Sequence, residues 1–476
     1  MADWLSDWFR SWLIPEKDFI MDYGNLATSQ QEQYKRNITA RSKQPTLAIW
    51  IEGLGDVSDY VKSYYFDRQI ENAIRENTPS TGHVVISDID GMFAENGHPK
   101  VKANASVIIN AGYDNEQLPR FSGIVNNPRI DTSRKEIDIE IADYAQVLDE
   151  KQAEGFYSDY PTPKTLIEKL LTTIQPCSLP IEYENGSGEV ATYEFGSLGA
   201  SFASACSAGA GATMTDTTKN FAMLEVGMAI QNTTDGSFGV ITTITSTAPA
   251  TTPNDTLVCS DGLHGGTANT WTALDGYQVY DKIYFDPRSY WSIVKGALYC
   301  IGQLAYFDEK GVLQTQRRSS FTDTDIVFYD RDIISLDYLD MAKMVNVKAV
   351  NYKNKVRFSD WLDGINVVGQ KHRRGSNSAS IEQYKEYADY LEEDLVNDWD
   401  SAERVINEEL AYASYPRYMQ SLEVTARPEL QLFDRIQVSS DERNIYGKFI
   451  IIGISEDYQA GRFINKFTLL SAQERF

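Results

Sequence analysis

Apolar and polar residues alternate with a period of two along most of this chain, and with a period near 3.6 in a few stretches. In "EIDIEIADY", Ile137, Ile139 and Ile141 fall on one face and Asp138 and Glu140 on the other, the pattern of a half-buried strand. "ASVIIN" and "FSGIVNNPRID" predict further strands, punctuated by Gly112, Gly123 and Pro128. Near the C-terminal end, "ARPELQLFDRIQVSS" leaves a helical pattern through Pro428. It then sets Ile436 and Val438 against Arg435 and Gln437, so it too reads as a strand. "FIIIGIS" and "RFINKFTLLS" complete a hairpin turning over Gln459 to Gly461.

Helical spacing appears in four places. Trp4, Leu5, Trp8, Phe9, Trp12 and Leu13 recur at that spacing until Pro15. A helix this short is marginal alone, so its aromatic face must dock on its own chain or on a neighbouring subunit. Arg10 is the only basic residue before Pro15, which argues against a membrane-surface helix. "YPTPKTLIEKLLTTI" predicts a helix capped at Thr162, with Pro163 in its first turn. "DPRSYWSIVKGALYCIG" predicts another, capped at Asp286 and stopped near Gly302, followed by a hairpin turning at Asp308 to Gly311. The charged region ending in "SAERVINEELAYASY" predicts helices at about residues 380–415.

Composition changes sharply between Gly186 and Lys282, where Thr and Gly dominate and Lys219 and Lys282 are the only basic residues. Short apolar runs there, "FGVITTITST" and "YQVYD", predict an inserted all-β module. The predicted fold is therefore α+β and mainly β, with two antiparallel tube-like β-barrel domains. The divisions are an N-terminal helix and polar tether over 1–45 and a first barrel over 46–150. A helix-plus-hairpin middle domain follows over 151–185 and 283–335, with the inserted module at 186–282. A second barrel over 336–476 is interrupted by the helices at about 380–415.

Charge narrows the function. With 44 basic and 68 acidic residues the net charge is −24, which disfavours stable DNA binding because that rests on phosphate neutralisation. An acidic surface still lets a polyanion pass without trapping it. Cys177, Cys206, Cys259 and Cys300 form no CxxC pair and read as buried free thiols. The start lacks the basic segment of a signal peptide, and no apolar run approaches the roughly 20 residues that cross a bilayer. A soluble protein without membrane anchoring, made inside the cell, is expected.

Candidate chemistry is sparse. His83, His98, His264 and His372 stand without a second ligand type at metal-binding spacing. "SAGAGAT" lacks the third glycine and the preceding strand of a phosphate loop. "SDIDGMF" and "FTDTDIV" lack the closing Glu of a calcium loop and read as turns. The acidic run "LEEDLVND" reads as a solvated helix face, and "KHRRG" as a solvated basic loop. No nucleophile elbow, HExxH or Walker loop is present, so neither an enzyme nor a cofactor is expected.

Two stretches carry a resemblance. "RFSGIVNNPRIDTSRKEIDIEIADYAQVLDE" resembles the strand pair that ends the first barrel, and "AERVINEELAYASYPRYMQSLEVTARPELQLFDRIQVSS" the helix-proline-strand that enters the last barrel, of tail hub, or baseplate hub, proteins of long-tailed bacteriophages and related contractile injection machines. "GALYCIGQLAYFDEKGVLQTQ" is similar to that family's middle segment, and the likeness covers about two thirds of the chain. The family more often has Gly where Phe433 precedes Asp434.

The resemblance implies a homotrimer whose six barrels form a ring joining a sixfold tail tube to a threefold tip. It implies a tail tube or distal tail protein above, a tip, spike or fibre protein below, and DNA passing through without specific binding. Asp138 and Glu140 would then face the lumen, and Trp4, Leu5, Trp8, Phe9 and Trp12 would contact a partner. Such a protein is made in the host cytoplasm and resides in the virion. The alternatives are a distal tail or ring adaptor protein with a carbohydrate-contacting module, and a tail-associated cell-wall hydrolase.

Overall fold

The computed structural model describes residues 44–70, 79–113, 116–156, 162–172, 180–183, 203–245, 255–259, 271–280, 284–317, 320–352, 371–392, 395–396, 399–459 and 461–472. The N-terminal segment with Trp4, Leu5, Trp8, Phe9 and Trp12 lies outside them, as do Cys177 and His264. Strands dominate, with a few short helices, so the fold is α+β and mainly β.

One sheet of 13 strands forms the backbone of the molecule. Its first half contains β1 (Pro45–Ile51), β2 (Val61–Gln69), β3 (Thr81–Ser87), β4 (Ser106–Tyr113), β5 (Glu116–Asp131) and β6 (Glu136–Ala142), in the spatial order β1-β4-β5-β6-β3-β2. Its second half contains β7 (Thr322–Tyr329), β8 (Ile333–Met341), β9 (Tyr418–Thr425), β10 (Asp434–Ser440), β11 (Ile445–Gln459) and β12 (Arg462–Ser471). Their order is β7-β10-β11-β12-β9-β8, so adding six to each label turns one half-barrel into the other. A two-residue strand on β1 (Gly55–Asp56) makes the thirteenth.

The duplication extends to irregularities. The β2–β3 register slips between Val61 and Ser63, and the β8–β9 register between Ile333 and Ser335. The β5–β6 register slips between Val125 and Asn127, and the β11–β12 register between Ile451 and Gly453. A bulge adds one residue and bends its strand, so bulges at matching places curve the two halves alike. One pairing differs: β1 runs antiparallel to β4, whereas β7 runs parallel to β10.

The halves are fused. β11 is 15 residues long, and its first half carries β10 while its second half, Gly453–Gln459, carries β2. Alternation decides which face each strand buries. Ile137, Ile139, Ile141, Ile436 and Val438 are all buried, each contributing about 1.5–3 kcal/mol relative to exposure.

Between the halves, α1 (Tyr144–Glu150) follows β6, and α2 (Pro163–Thr172) and α3 (Tyr290–Tyr299) bury their apolar sides in the same core as the second half-barrel. Thr162 caps α2, its Oγ1 accepting from Thr165 N at 3.1 Å. The cap of α3 is Ser289, not Asp286, with its Oγ accepting from Ser292 N at 3.2 Å. The stretch Tyr284–Ser289 is held extended by antiparallel pairing with Gln152–Phe156, so Asp286 precedes the helix by too many residues to cap it. The hairpin turns as the sequence predicts, with Gly311 at φ 76° and the Asp308 carboxylate accepting from the Lys310 and Val312 amides.

Seven strands between Ala203 and Tyr280 form a separate sheet around Met214, Phe221, Ile230, Leu257, Trp271 and Tyr277. Cys206 and Cys259 are buried free thiols in that core, and Cys300 is a third in the main one.

Two other expectations are corrected. The helical region resolves into α4 (Ser378–Tyr384), a strand at Ala388–Glu392 and α5 (Trp399–Ala413). That strand forms because Val347–Tyr352 offers it a parallel partner, and "KHRRG" pairs on the other side of the same strand rather than forming a loop. Helix α5 does not hand over directly to Pro428 either, because β9 intervenes.

Candidate functional site: a buried ionic seam and a polar face

Where β2 meets β11, charged residues lie inside the protein. Arg120 on β5 and Glu456 on β11 are both buried and pair at 2.9 Å. Glu456 also accepts from Tyr64 Oη at 2.6 Å and from Asn465 Nδ2 at 2.8 Å. Arg120 donates through Nη1 to the Pro428 carbonyl, and its own carbonyl accepts from Arg68 Nη2 at 2.6 Å. Arg68 faces Glu309 of the middle hairpin at 3.6 Å, and Glu309 accepts from Gln431 Nε2 at 2.6 Å. Arg427 pairs with Glu429 at 2.6 Å. First half-barrel, middle domain and second half-barrel thus meet in one network.

Three guanidinium groups balance three glutamates, and two aspartates beside them are pushed up. Burial raises the Asp434 carboxyl to about 7, aided by the charges of Glu309 and Glu429. Burial and the neighbouring Glu309 raise Asp308 to about 6. Burial likewise raises Asp143 to about 6, although Ser80 and the α1 amide of Ala145 bond its ionised form.

Phe433, just before Asp434, sits at φ 66°, a left-handed conformation that glycine adopts freely and a bulky residue does not. Its ring is buried against Tyr306, centroids 5.4 Å apart, so packing offsets the strain. This explains why glycine suits that position and how Phe433 replaces it.

Asp138 and Glu140 lie on the opposite, solvent side of the sheet from Ile137, Ile139 and Ile141. Asp138 meets His83 Nδ1 at 3.2 Å, and Glu140 accepts from Asn126 Nδ2 at 3.3 Å. Residues directly opposite on neighbouring strands share a face, so a row runs Glu140–His83–Tyr65–Asp457 across the fused halves. A second runs Asp67–Ser455–Lys466–Glu423–Ser335. The structure thus joins Asp138 and Glu140 to one polar surface spanning both half-barrels.

The seam residues escaped sequence reading, although Glu456 alternates with Ile454 and Tyr458 along its strand and Arg120 directly precedes Phe121. That interruption was the available signal. Arg373 and Arg374 of "KHRRG" are engaged by Glu403 at 3.0 Å and Glu386 at 2.6 Å. Among the described residues no group of His, Cys, Asp or Glu could hold a metal ion, and no helix is long and apolar enough to cross a membrane.

No protein-family model and no curated protein matches the sequence. Among solved structures, the chain is similar to a tail protein from Neisseria meningitidis MC58, with 11% identity, a TM-score of 0.49, and 90% of this chain and 96% of that one covered. It is similar to the prophage MuSo2 43 kDa tail protein from Shewanella oneidensis, with 9% identity, a TM-score of 0.49, and 90% and 98% covered. A third is prophage tail protein gp18 from Listeria monocytogenes EGD-e, with 9% identity, a TM-score of 0.43, and 90% and 95% covered.

Proposed function

We propose that this chain is a structural tail or baseplate hub protein of a virion, three copies of which form a ring of six similar units around a channel. The observation that carries this reading is the duplication, two half-barrels of one topology fused into one sheet by β2 and β11. Threefold assembly of a duplicated chain presents six near-equivalent units, which matches a sixfold tube to a threefold tip. The seam supports it, because buried paired charges disfavour other relative placements of the halves.

The polar face with Asp138, Glu140, Asp67 and Asp457 is assigned to the lumen, where its acidic excess lets DNA slide without sticking. Tail proteins above and below the ring are the expected partners, and Trp4, Leu5, Trp8, Phe9 and Trp12 are assigned to capture of a neighbour. The role is mechanical rather than catalytic.

Light scattering on the purified chain tests the reading. A mass of three chains is expected, and a mass of six chains would replace it with a ring adaptor. Changing Trp4, Trp8 and Trp12 together to Ala should raise the concentration at which rings form. Rings assembling at the unchanged concentration would remove the aromatic segment from the interface.

A further inference from the structure

The duplicated topology leaves one contact used once. Within the chain, β2 of the first half lies on the second half of β11. The counterparts are β8 and the second half of β5, and among the described residues neither has a strand hydrogen-bonded at the corresponding edge. Exposure follows the same logic. Matching the bulges equates Phe66 with Tyr338, and Phe66 is 0% exposed whereas Tyr338 is 60% exposed. Ile334 and Leu339 on β8 are also exposed. A nine-residue edge strand carrying outward apolar side chains is a template for another chain.

We infer that β8 of one copy lies against Asn127–Asp131 of β5 in a neighbouring copy, repeating between chains the β2–β11 contact made within each. The inference rests on the threefold reading above and names its joint. The β8–β9 register slips a second time between Tyr338 and Asp340, so Leu339 is an extra residue; with it skipped, transferring the register turns Ser455 opposite Asp67 into Arg129 opposite Asp340, and Glu456 opposite Phe66 into Ile130 opposite Tyr338.

Charge agrees. The β8 edge carries Asp332, Asp337 and Asp340 against a single Arg331, whereas the end of β5 and its turn carry Arg129, Arg134 and Lys135 against a single Asp131. A contact of this kind is head-to-tail, and it closes into a three-chain ring when each copy is turned by a third of a revolution from the last.

The test is a chain carrying both Ile130→Cys and Tyr338→Cys, oxidised mildly and run on a denaturing gel without reductant, beside each single variant. Only the double variant should yield covalent three-chain species, lost on reduction. Independently, Arg129→Glu should raise the ring dissociation constant at least tenfold, and adding Asp340→Arg should restore most of it. A native three-chain mass with neither cross-link nor charge rescue overturns the strand assignment and leaves the threefold reading standing. A native chain that stays monomeric overturns both.

Discussion

The two half-barrels share strand order and two bulges, yet they treat the same strand differently. β2 is covered, whereas among the described residues no strand covers the free edge of β8. Phe66 is buried beneath the seam, while its counterpart Tyr338 stands in solvent beside Tyr418, ring centroids 6.3 Å apart. Long insertions differ as well: the second half admits residues 342–417 between β8 and β9, where the first half passes from β2 to β3 in a short link. A fold repeated within one chain thus acquires an inside and an outside copy, and what separates them is the presence of a neighbour.

The largest loss is expected at Arg120, which ties the two halves together. Replacing it by Met leaves Glu456 charged and buried without its cation, which should cost about 3–5 kcal/mol of unfolding free energy. Urea unfolding followed by tryptophan fluorescence reads this directly, and a companion Glu456→Leu change should recover much of the loss. Next comes the pair of equivalent positions. Phe66→Ala should lose about 3 kcal/mol or more, because a cavity opens. Tyr338→Ala in the dilute, unassembled chain should change stability by no more than about 0.5 kcal/mol. Equal losses at the two sites would mean that β8 is covered within its own chain.

Phe433→Gly should have a smaller effect. It relieves about 1–2 kcal/mol of left-handed strain but removes a buried ring worth more, so a net loss of roughly 2 kcal/mol is expected in the same measurement.

The gentlest perturbation is pH. Asp434 and Asp308 have folded values raised above the unfolded ones, so the stability they confer is complete below about 4 and is lost as pH rises through about 6 and 7. Unfolding free energy should therefore fall between about pH 4 and 7 and level off above, by at most about 1.4 kcal/mol per pH unit for each group. Asp434→Asn should flatten that slope, and an unchanged slope would place the titration elsewhere.

Sequence legibility follows the same division between local and distant causes. Alternation placed Ile137 to Ile141 and Ile436 to Val438 on buried faces, because a strand's two faces are set by its own residues. The Asp308–Gly311 turn was equally readable, since its chemistry closes within four residues. The cap at Ser289 was not, because the pairing of Tyr284–Ser289 with Gln152–Phe156 decides it. β9 was absorbed into the helix reading for the same reason, its neighbours β8 and β12 lying far away in the chain. Asp138 and Glu140 were legible as an outward pair, whereas the seam was not. A charge in an apolar strand announces that it needs a partner, but nothing in the local pattern says which.

The length of β11 also sets a timetable for synthesis. Tyr64 and Glu456 are 392 residues apart, so the edge of β2 waits, uncovered, until nearly the whole chain has left the ribosome. At about 5–20 residues per second that wait lasts roughly 20–80 s. Throughout it Phe66 and Arg68 lack the strand that will bury them, and the first half-barrel of a nascent chain presents the same bare edge that β8 keeps in the finished one.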